Sequence, residues 1–181
     1  MAYEMHNTVP GGVMNSKNLL ICVDDSSAST RAVQYVGELV DESKAFTVWL
    51  FHLLGPLPPE LRETSGSENP KGEEMLEKEL TRRQELEIEK DISQEAIPIL
   101  LQARSILTNA GVPAENVRTI TSVLVNREDV ARDILNSARA NDCRTIVVGR
   151  ASFSWIQEIF RGHLSDQLIH EGHGLCICTV V

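Results

Sequence analysis

The sequence predicts an α/β protein, built on an open sheet of five parallel strands with helices on both faces. Two observations lead to this fold class. Short apolar segments rich in β-branched residues alternate with longer segments of helical periodicity, in the order β-α-β-α-β-α-β-α-β. The apolar segments are mostly continuous, as in strands that a parallel sheet buries on both faces. We expect one α/β domain over residues 17–181, preceded by a flexible leader over residues 1–16.

Five segments are predicted to be strands. They are Asn18–Val23, Phe46–Leu54, Val117–Leu124, the run that begins at Thr145 (T-I-V-V), and Leu175–Val181. The third segment alternates between apolar and polar residues more than the others, which favours a place nearer the edge of the sheet. The strand–helix–strand order implies parallel pairs joined by right-handed crossovers.

Helical periodicity predicts four helices between these strands. Ser26 is a good N-cap for a first helix that ends near Glu42, and Asn126 is a plausible N-cap before Glu128–Ala140. The long pattern Glu73–Ala110 contains Pro98, which must kink or divide it. Before it, residues 55–72 read as a loop that is long enough to be mobile or to act as a lid. The last helix carries apolar residues at helical spacing and ends at two glycines: Trp155, Ile156, Ile159, Phe160 and Leu164, then Gly172 and Gly174.

Charge and composition exclude several classes of protein. A net charge of −9 and a pI near 5.0 argue against a general nucleic-acid binder, which usually presents a basic face. The chain has no apolar run near the ~20 residues of a membrane helix, so we expect no membrane partner. The first residues lack the basic and apolar regions of a secretory signal, and we therefore expect a cytoplasmic protein.

Cysteine and histidine spacing predicts no metal site. The four cysteines contain no C-x-x-C pair, and the simplest expectation is that they are small buried hydrophobic residues. The five histidines show no zinc-ligand spacing with cysteine or carboxylate.

The topology predicts where a ligand would bind. In open α/β sheets, ligands lie at the carboxyl ends of the strands, where the strand order reverses. With the order 3-2-1-4-5, this point lies between strands one and four. It would bring Asp24 and Gly149 to the same crevice.

Several of these segments, taken together, resemble the universal stress protein family over roughly residues 17–181. They are N-L-L-I-C-V-D-D-S at the first strand, L-F-H-L at the second, V-V-G-R at the fourth, and R-G-H-L-S-D-Q-L-I before the last strand. The resemblance implies a Rossmann-like fold of the adenine nucleotide alpha hydrolase type. Nucleotide-binding members carry Gly-x-x-Gly, nine residues, then Gly-Ser or Gly-Thr. Here the spacing is kept by Gly149, Ser152 and Gly162-His163, but two of the four residue types differ.

The resemblance also implies the residues of a site for ATP or AMP, with which Mg²⁺ could be bound. Asp24 would lie near the ribose and phosphates, Leu53 would face the adenine, and Gly149 and Arg150 would border the sugar. The phosphates would be held around Ser152 and by Gly162, His163 and Leu164, with Ser165 as a nearby hydroxyl. A serine at 152 loses some of the conformational freedom of glycine, and His163 could either donate to an anion or fill the phosphate space.

Other ligand-binding classes lack their markers. A receiver domain would need an aspartate after strand three and a lysine after strand five, and neither is present. The chain contains no G-x-x-x-x-G-K-[ST] loop and no G-x-S-x-G elbow. Because no general base is visible, we expect a binding protein with at most weak ATPase activity rather than an enzyme.

Two hypotheses for function remain open. The first is a stress-response protein in which a bound adenine nucleotide acts as a regulatory ligand. The second is a homodimeric interaction protein of the same fold that binds no nucleotide. In both, the apolar last strand, Leu175–Val181, is expected at a sheet edge, and the resemblance implies that it pairs with a second copy across a two-fold axis.

Overall fold

The computed structural model describes residues 17–40, 46–58, 61, 70–124, 129–150 and 164–181. Its elements, in chain order, are β1 (Lys17–Cys22), α1 (Ser27–Val40), β2 (Phe46–Leu54), α2 (Pro70–Asp91), a π-helical turn (Ile92–Ala96), α3 (Ile97–Asn109), a 3₁₀ turn (Ala114–Asn116), β3 (Val117–Val123), α4 (Val130–Ala140), β4 (Cys143–Gly149), α5 (Leu164–Glu171) and β5 (Cys176–Val180).

The sheet has the predicted architecture. All four strand pairs are parallel, and the order is β3-β2-β1-β4-β5. β1 lies at the centre and is buried from Leu19 onward, whereas β3 and β5 form the two edges. The more alternating pattern of β3 therefore corresponds to an edge position, as predicted.

Two apolar cores, one on each face of the sheet, account for the helices on both sides. Alternate residues of each strand enter opposite cores, since successive side chains of a strand point to opposite faces. On one face, Leu19, Ile21 and Val23 of β1 pack with α1 and α3. On the other, Leu20 and Cys22 pack with α4 and with Leu168 of α5.

Pro98 divides the long helical segment, as predicted, and the structure shows how. The chain widens into a π-turn over Ile92–Ala96 and resumes α-helical geometry with Pro98 in the first turn of α3. The amide of Ile97 donates to the carbonyl of Ile92, five residues back. Proline has no amide to donate and its ring crowds the carbonyl four residues back, so a regular α-helix cannot continue through it.

Most predicted boundaries agree with the structure to within about two residues. The prediction that residues 70–72 are loop is wrong, because α2 begins at Pro70, and proline is well suited to the first position of a helix. Ser26 caps α1 through its Oγ, which accepts a hydrogen bond from the amide of Ser29 at 3.1 Å. The strand predicted from Thr145 begins two residues earlier, at Cys143. Asn126, most of loop 55–72, the leader and the apolar residues 155–160 lie outside the described residues.

The prediction that all four cysteines are buried is wrong for β5. Cys22 and Cys143 are buried, but Cys176 is exposed and Cys178 is half-buried. The reason is position, because an edge strand that ends a sheet leaves part of its side-chain surface uncovered. Within the described residues, no helix is both long enough and apolar enough to span a membrane.

Candidate functional site

The carboxyl ends of β1, β2 and β4 lie side by side at one edge of the sheet. β1 is in register with β2 through Cys22 and Phe51, and with β4 through Ile21 and Val147. One residue further, the amide of Val23 donates to the carbonyl of Phe51 at 2.8 Å. Extended by two residues, the parallel register sets Leu53 beside Asp24, and Gly149 beside Val23, one residue before Asp24.

Asp24 is held in place by the first turn of α1. Its side chain is almost completely buried, and Oδ1 accepts hydrogen bonds from the amide of Ser26 at 3.0 Å and from the Ser26 hydroxyl. Its own amide donates to Oγ of Ser29 at 3.0 Å. This is an Asx turn followed directly by a capped helix. These contacts fix the orientation of the Asp24 carboxylate at the end of β1.

His52, to which the sequence assigned no role, supports the same strand end. It is 1% exposed, and its Nδ1 lies 2.8 Å from the carbonyl oxygen of Val23. Because a carbonyl only accepts, Nδ1 must be the donor. Nε2 has no hydrogen-bond partner among the described residues and lies 3.6 Å from Oε1 of Glu95 on the π-turn. His52 thus links the backbone before Asp24 to the junction between α2 and α3.

Only one feature of the sequence pointed to His52. It is a histidine within an otherwise apolar strand, F-T-V-W-L-F-H-L-L. A buried imidazole needs partners for its two nitrogens, and sequence could not show that Val23 supplies one and that Glu95 faces the other.

Leu53 lies next to Asp24 in register but offers no surface to a ligand in this structure. It is 0% exposed and belongs to the core beneath α4, with Leu124 and Val130 among its neighbours in that core. A contact between Leu53 and an adenine ring would require this part of the core to open.

The remaining predicted site residues fall into two groups. Gly149 is buried at the end of β4 opposite Val180, and the amide of the exposed Arg150 donates to the Val180 carbonyl at 2.7 Å. Leu164 and Ser165 begin α5 and are half-buried, with Leu164 against the same core as Leu53. Ser152, Gly162 and His163 lie outside the described residues.

The pKa values of the two buried cysteines are raised well above the ordinary value of a thiol. Burial, reinforced by the nearby carboxylate of Asp24, raises the pKa of Cys22 far above its ordinary value. Burial also raises the pKa of Cys143 to about 12, with Asp142 acting in the same direction. Since the thiolate is the reactive form, neither residue is a nucleophile at neutral pH. The described part of the chain contains no cluster of three or more side chains suited to hold a metal ion.

Comparison with known proteins assigns this arrangement to a family. The model of the universal stress protein family matches residues 15–174. The chain belongs to the universal stress protein family. No curated protein sequence matches it significantly.

Solved universal stress proteins share the fold across almost the whole chain. One from Burkholderia pseudomallei is 15% identical with a TM-score of 0.51, over 93% of this chain and 98% of that one. One described as a complex with cAMP is 13% identical with a TM-score of 0.58, over 92% and 97%. One from Archaeoglobus fulgidus, described as a complex with dAMP, is 17% identical with a TM-score of 0.52, over 93% and 100%. At these identities the likeness establishes the fold and no residue role.

Proposed function

We propose that this universal stress protein binds an adenine nucleotide, ATP or AMP, as a regulatory ligand at the carboxyl ends of β1, β2 and β4. The observation that carries the proposal is the buried Asp24 carboxylate, which the protein's own donors orient at the point where the strand order reverses. Such a carboxylate suits the hydroxyls of a ribose, which are donors of hydrogen bonds.

The relatives that are described as complexes with cAMP and dAMP support an adenine nucleotide as the ligand class. In this proposal Asp24 binds the ribose, Gly149 and Arg150 border it, and Ser152, Gly162, His163, Leu164 and Ser165 surround the phosphates. Leu53 contacts the adenine only after its core opens. Mg²⁺ would accompany a triphosphate as its counter-ion. A stress-response role and a cytoplasmic location stay predictions of the sequence.

Nucleotide binding is tested by thermal unfolding with ATP or AMP. A ligand at ten times its Kd stabilises the native state by about 1.4 kcal/mol, which corresponds to a rise in Tm of roughly 3–5 °C for a chain of this size. We expect this rise with ATP or AMP and a much smaller one with GTP or GMP, which carry the same phosphates. Gentle denaturation should also release bound adenine nucleotide, which mass spectrometry would detect.

Asp24→Asn is the matched variant for this experiment. The asparagine Oδ1 can still accept from the Ser26 amide, so the turn is kept while the charge is lost. We expect unligated stability close to that of the parent and a loss of most of the nucleotide-induced shift. Nucleotide binding is excluded if no nucleotide co-purifies and millimolar ATP and AMP leave the Tm of the parent unchanged.

A second candidate function, a homodimeric interaction protein without nucleotide, is favoured by the complete burial of Leu53 and by the surface around β5. Both helices that contact β5, α1 and α5, carry exposed apolar side chains, as does the residue that follows the strand. They are Tyr35 and Leu39 of α1, Ile169 of α5, and Val181. An apolar surface beside an unpaired strand edge favours pairing with another chain.

The dimer is tested with Thr179→Pro. The carbonyl of Val180 accepts from Arg150, so the backbone of Val180 faces β4 and that of Thr179 faces away from it. Proline at 179 therefore removes only an outward amide and is tolerated on an edge strand. By light scattering we expect a dimer for the parent and for Thr179→Ala, and a folded monomer for Thr179→Pro. A parent that is monomeric at micromolar concentration would rule the dimer out.

A further inference from the structure

The hydrogen-bond pattern of β5 determines which of its residues can pair with a second chain. Backbone groups of successive strand residues face opposite edges of the strand. The bond from Arg150 to Val180 shows that Val180 faces β4, and Cys176 and Cys178 share its parity. The backbones of Ile177 and Thr179 therefore face the edge of the sheet at which no other described strand pairs with β5.

If two copies of β5 pair about a two-fold axis at this edge, both cysteines of each strand occupy non-hydrogen-bonded positions. Antiparallel pairing of two identical edges joins outward-facing residues to each other through hydrogen bonds. The inward-facing residues then stand opposite one another as non-hydrogen-bonded pairs, whose Cα atoms are about 4.5 Å apart. This spacing lies within the range of roughly 4.4–6.8 Å seen in disulfides.

If the two copies of β5 overlap along their full length, only one pair of cysteines comes to lie directly opposite each other. The segment Cys176–Val180 is centred on Cys178, and so is the longer segment 175–181. A two-fold axis at this residue sets Cys178 directly opposite the partner's Cys178, while Cys176 stands opposite the partner's Val180. Within one chain the two thiols cannot pair, because residues two apart on a strand have Cβ atoms roughly 6.5 Å apart, and a disulfide needs about 3.8 Å.

We propose that Cys178 forms a disulfide with Cys178 of the partner subunit when a peroxide oxidises the β5 dimer. This inference rests on the dimer proposed above. The thiolate of one Cys178 attacks the peroxide and the O–O bond breaks, which gives a sulfenic acid and a hydroxide ion; the hydroxide takes up the proton that the thiol released and becomes water. The partner's Cys178 then attacks this sulfur, the S–O bond breaks, and the hydroxyl leaves with a proton as water. Two thiols and one hydrogen peroxide thus become one disulfide and two waters.

The disulfide would make the dimer independent of protein concentration. A non-covalent edge pair dissociates on dilution, whereas a covalent pair does not. Under peroxide the assembly would therefore persist at concentrations at which the reduced protein is monomeric. Reductant would reverse the change.

The surroundings of Cys178 determine how fast its thiol is oxidised. Burial raises the pKa of the thiol, the neighbouring Cys176 acts in the same direction, and a hydrogen bond with the side chain of Tyr35 acts against them. A raised pKa means little thiolate at neutral pH, so the crosslink should form slowly. Cys22 and Cys143 are internal controls, because both are buried.

The test treats the reduced full chain with hydrogen peroxide and measures the crosslinked dimer on non-reducing gels and by peptide mass spectrometry. We expect most of the parent to become a reducible covalent dimer joined through two copies of the Cys178 peptide. Cys176→Ser should crosslink like the parent, and Cys178→Ser should fall to background. Light scattering in reductant measures the non-covalent dimer of each variant separately.

The possible outcomes distinguish a failure of the disulfide proposal from a failure of the dimer proposal. A dimer in reductant that peroxide does not crosslink overturns the disulfide and leaves the dimer intact. A parent that is monomeric in reductant at micromolar concentration overturns the dimer and the disulfide together. A crosslink that still forms in Cys178→Ser, or that requires Cys176, contradicts the pairing of Cys178 with the partner's Cys178.

Discussion

Gly172→Ala is expected to lower the free energy of unfolding by about 3 kcal/mol, the upper part of the usual range for overpacking. A Cβ at this position would clash with the carbonyl oxygen of Leu168 and would lie 3.3 Å from Cδ1 of Ile177. The first contact is with backbone, and the amide of Gly172 already donates to that same carbonyl at 2.8 Å. The end of α5 must therefore move, and with it Leu168, which is fully buried.

Gly174→Ala is the matched control, two residues away in the same turn. Gly174 has a φ of +79°, but its Cβ would meet nothing within 4 Å. The substitution therefore carries only the backbone penalty of a left-handed L-residue, roughly 1–2 kcal/mol. Urea unfolding at an unchanged m-value measures both variants. Equal losses at 172 and 174 would show that steric contact with Leu168 is not the cause.

His52→Leu is expected to destabilise the protein by about 2 kcal/mol, because it leaves the buried Val23 carbonyl without its side-chain donor. His52→Asn should recover most of this loss, since the asparagine amide nitrogen occupies a position close to that of Nδ1. His52→Gln, which reaches toward Glu95 instead, should recover less. If the asparagine and leucine variants are equally unstable, the bond to Val23 contributes little.

Glu95→Gln tests the contact of Glu95 with the second ring nitrogen of His52, Nε2. Nε2 has no hydrogen-bond partner among the described residues and faces the carboxylate of Glu95. A glutamine amide can donate to Nε2, so the variant should be more stable than the parent in urea unfolding by up to about 1 kcal/mol. A loss of stability would show instead that the carboxylate of Glu95 stabilises the ring.

The sequence did not predict the contacts of Gly172, nor those between His52 and Glu95. Gly172 was predicted only as a helix end, and α5 does end there at Glu171. The contact that makes a side chain costly involves Ile177 and Leu135, which are five and thirty-seven residues away in the chain. Glu95 belongs to a segment predicted as helix, with no indication that Pro98 would widen it into a π-turn over His52.

For the candidate site, the prediction was strongest where topology alone decides. The meeting of Asp24 and Gly149 follows from the strand order 3-2-1-4-5, which the structure confirms. The motif Gly149, Ser152, Gly162-His163 stays a prediction, since three of its residues lie outside the described ranges. The burial of Leu53 could not be predicted, because a run of apolar residues does not show how α4 covers it.

The order and type of the elements were readable in the chain because they depend on local patterns. Apolar runs, helical periodicity, the Ser26 cap and Pro98 act within a few residues, and the parallel order follows from the crossovers that they impose. Contacts between residues distant in the chain were decided only on folding: the imidazole of His52 between Val23 and Glu95, the closed surface over Leu53, and the exposure of Cys176 on an edge strand. Each depends on which surfaces pack together, and burial and hydrogen-bond partners come into being only with that packing.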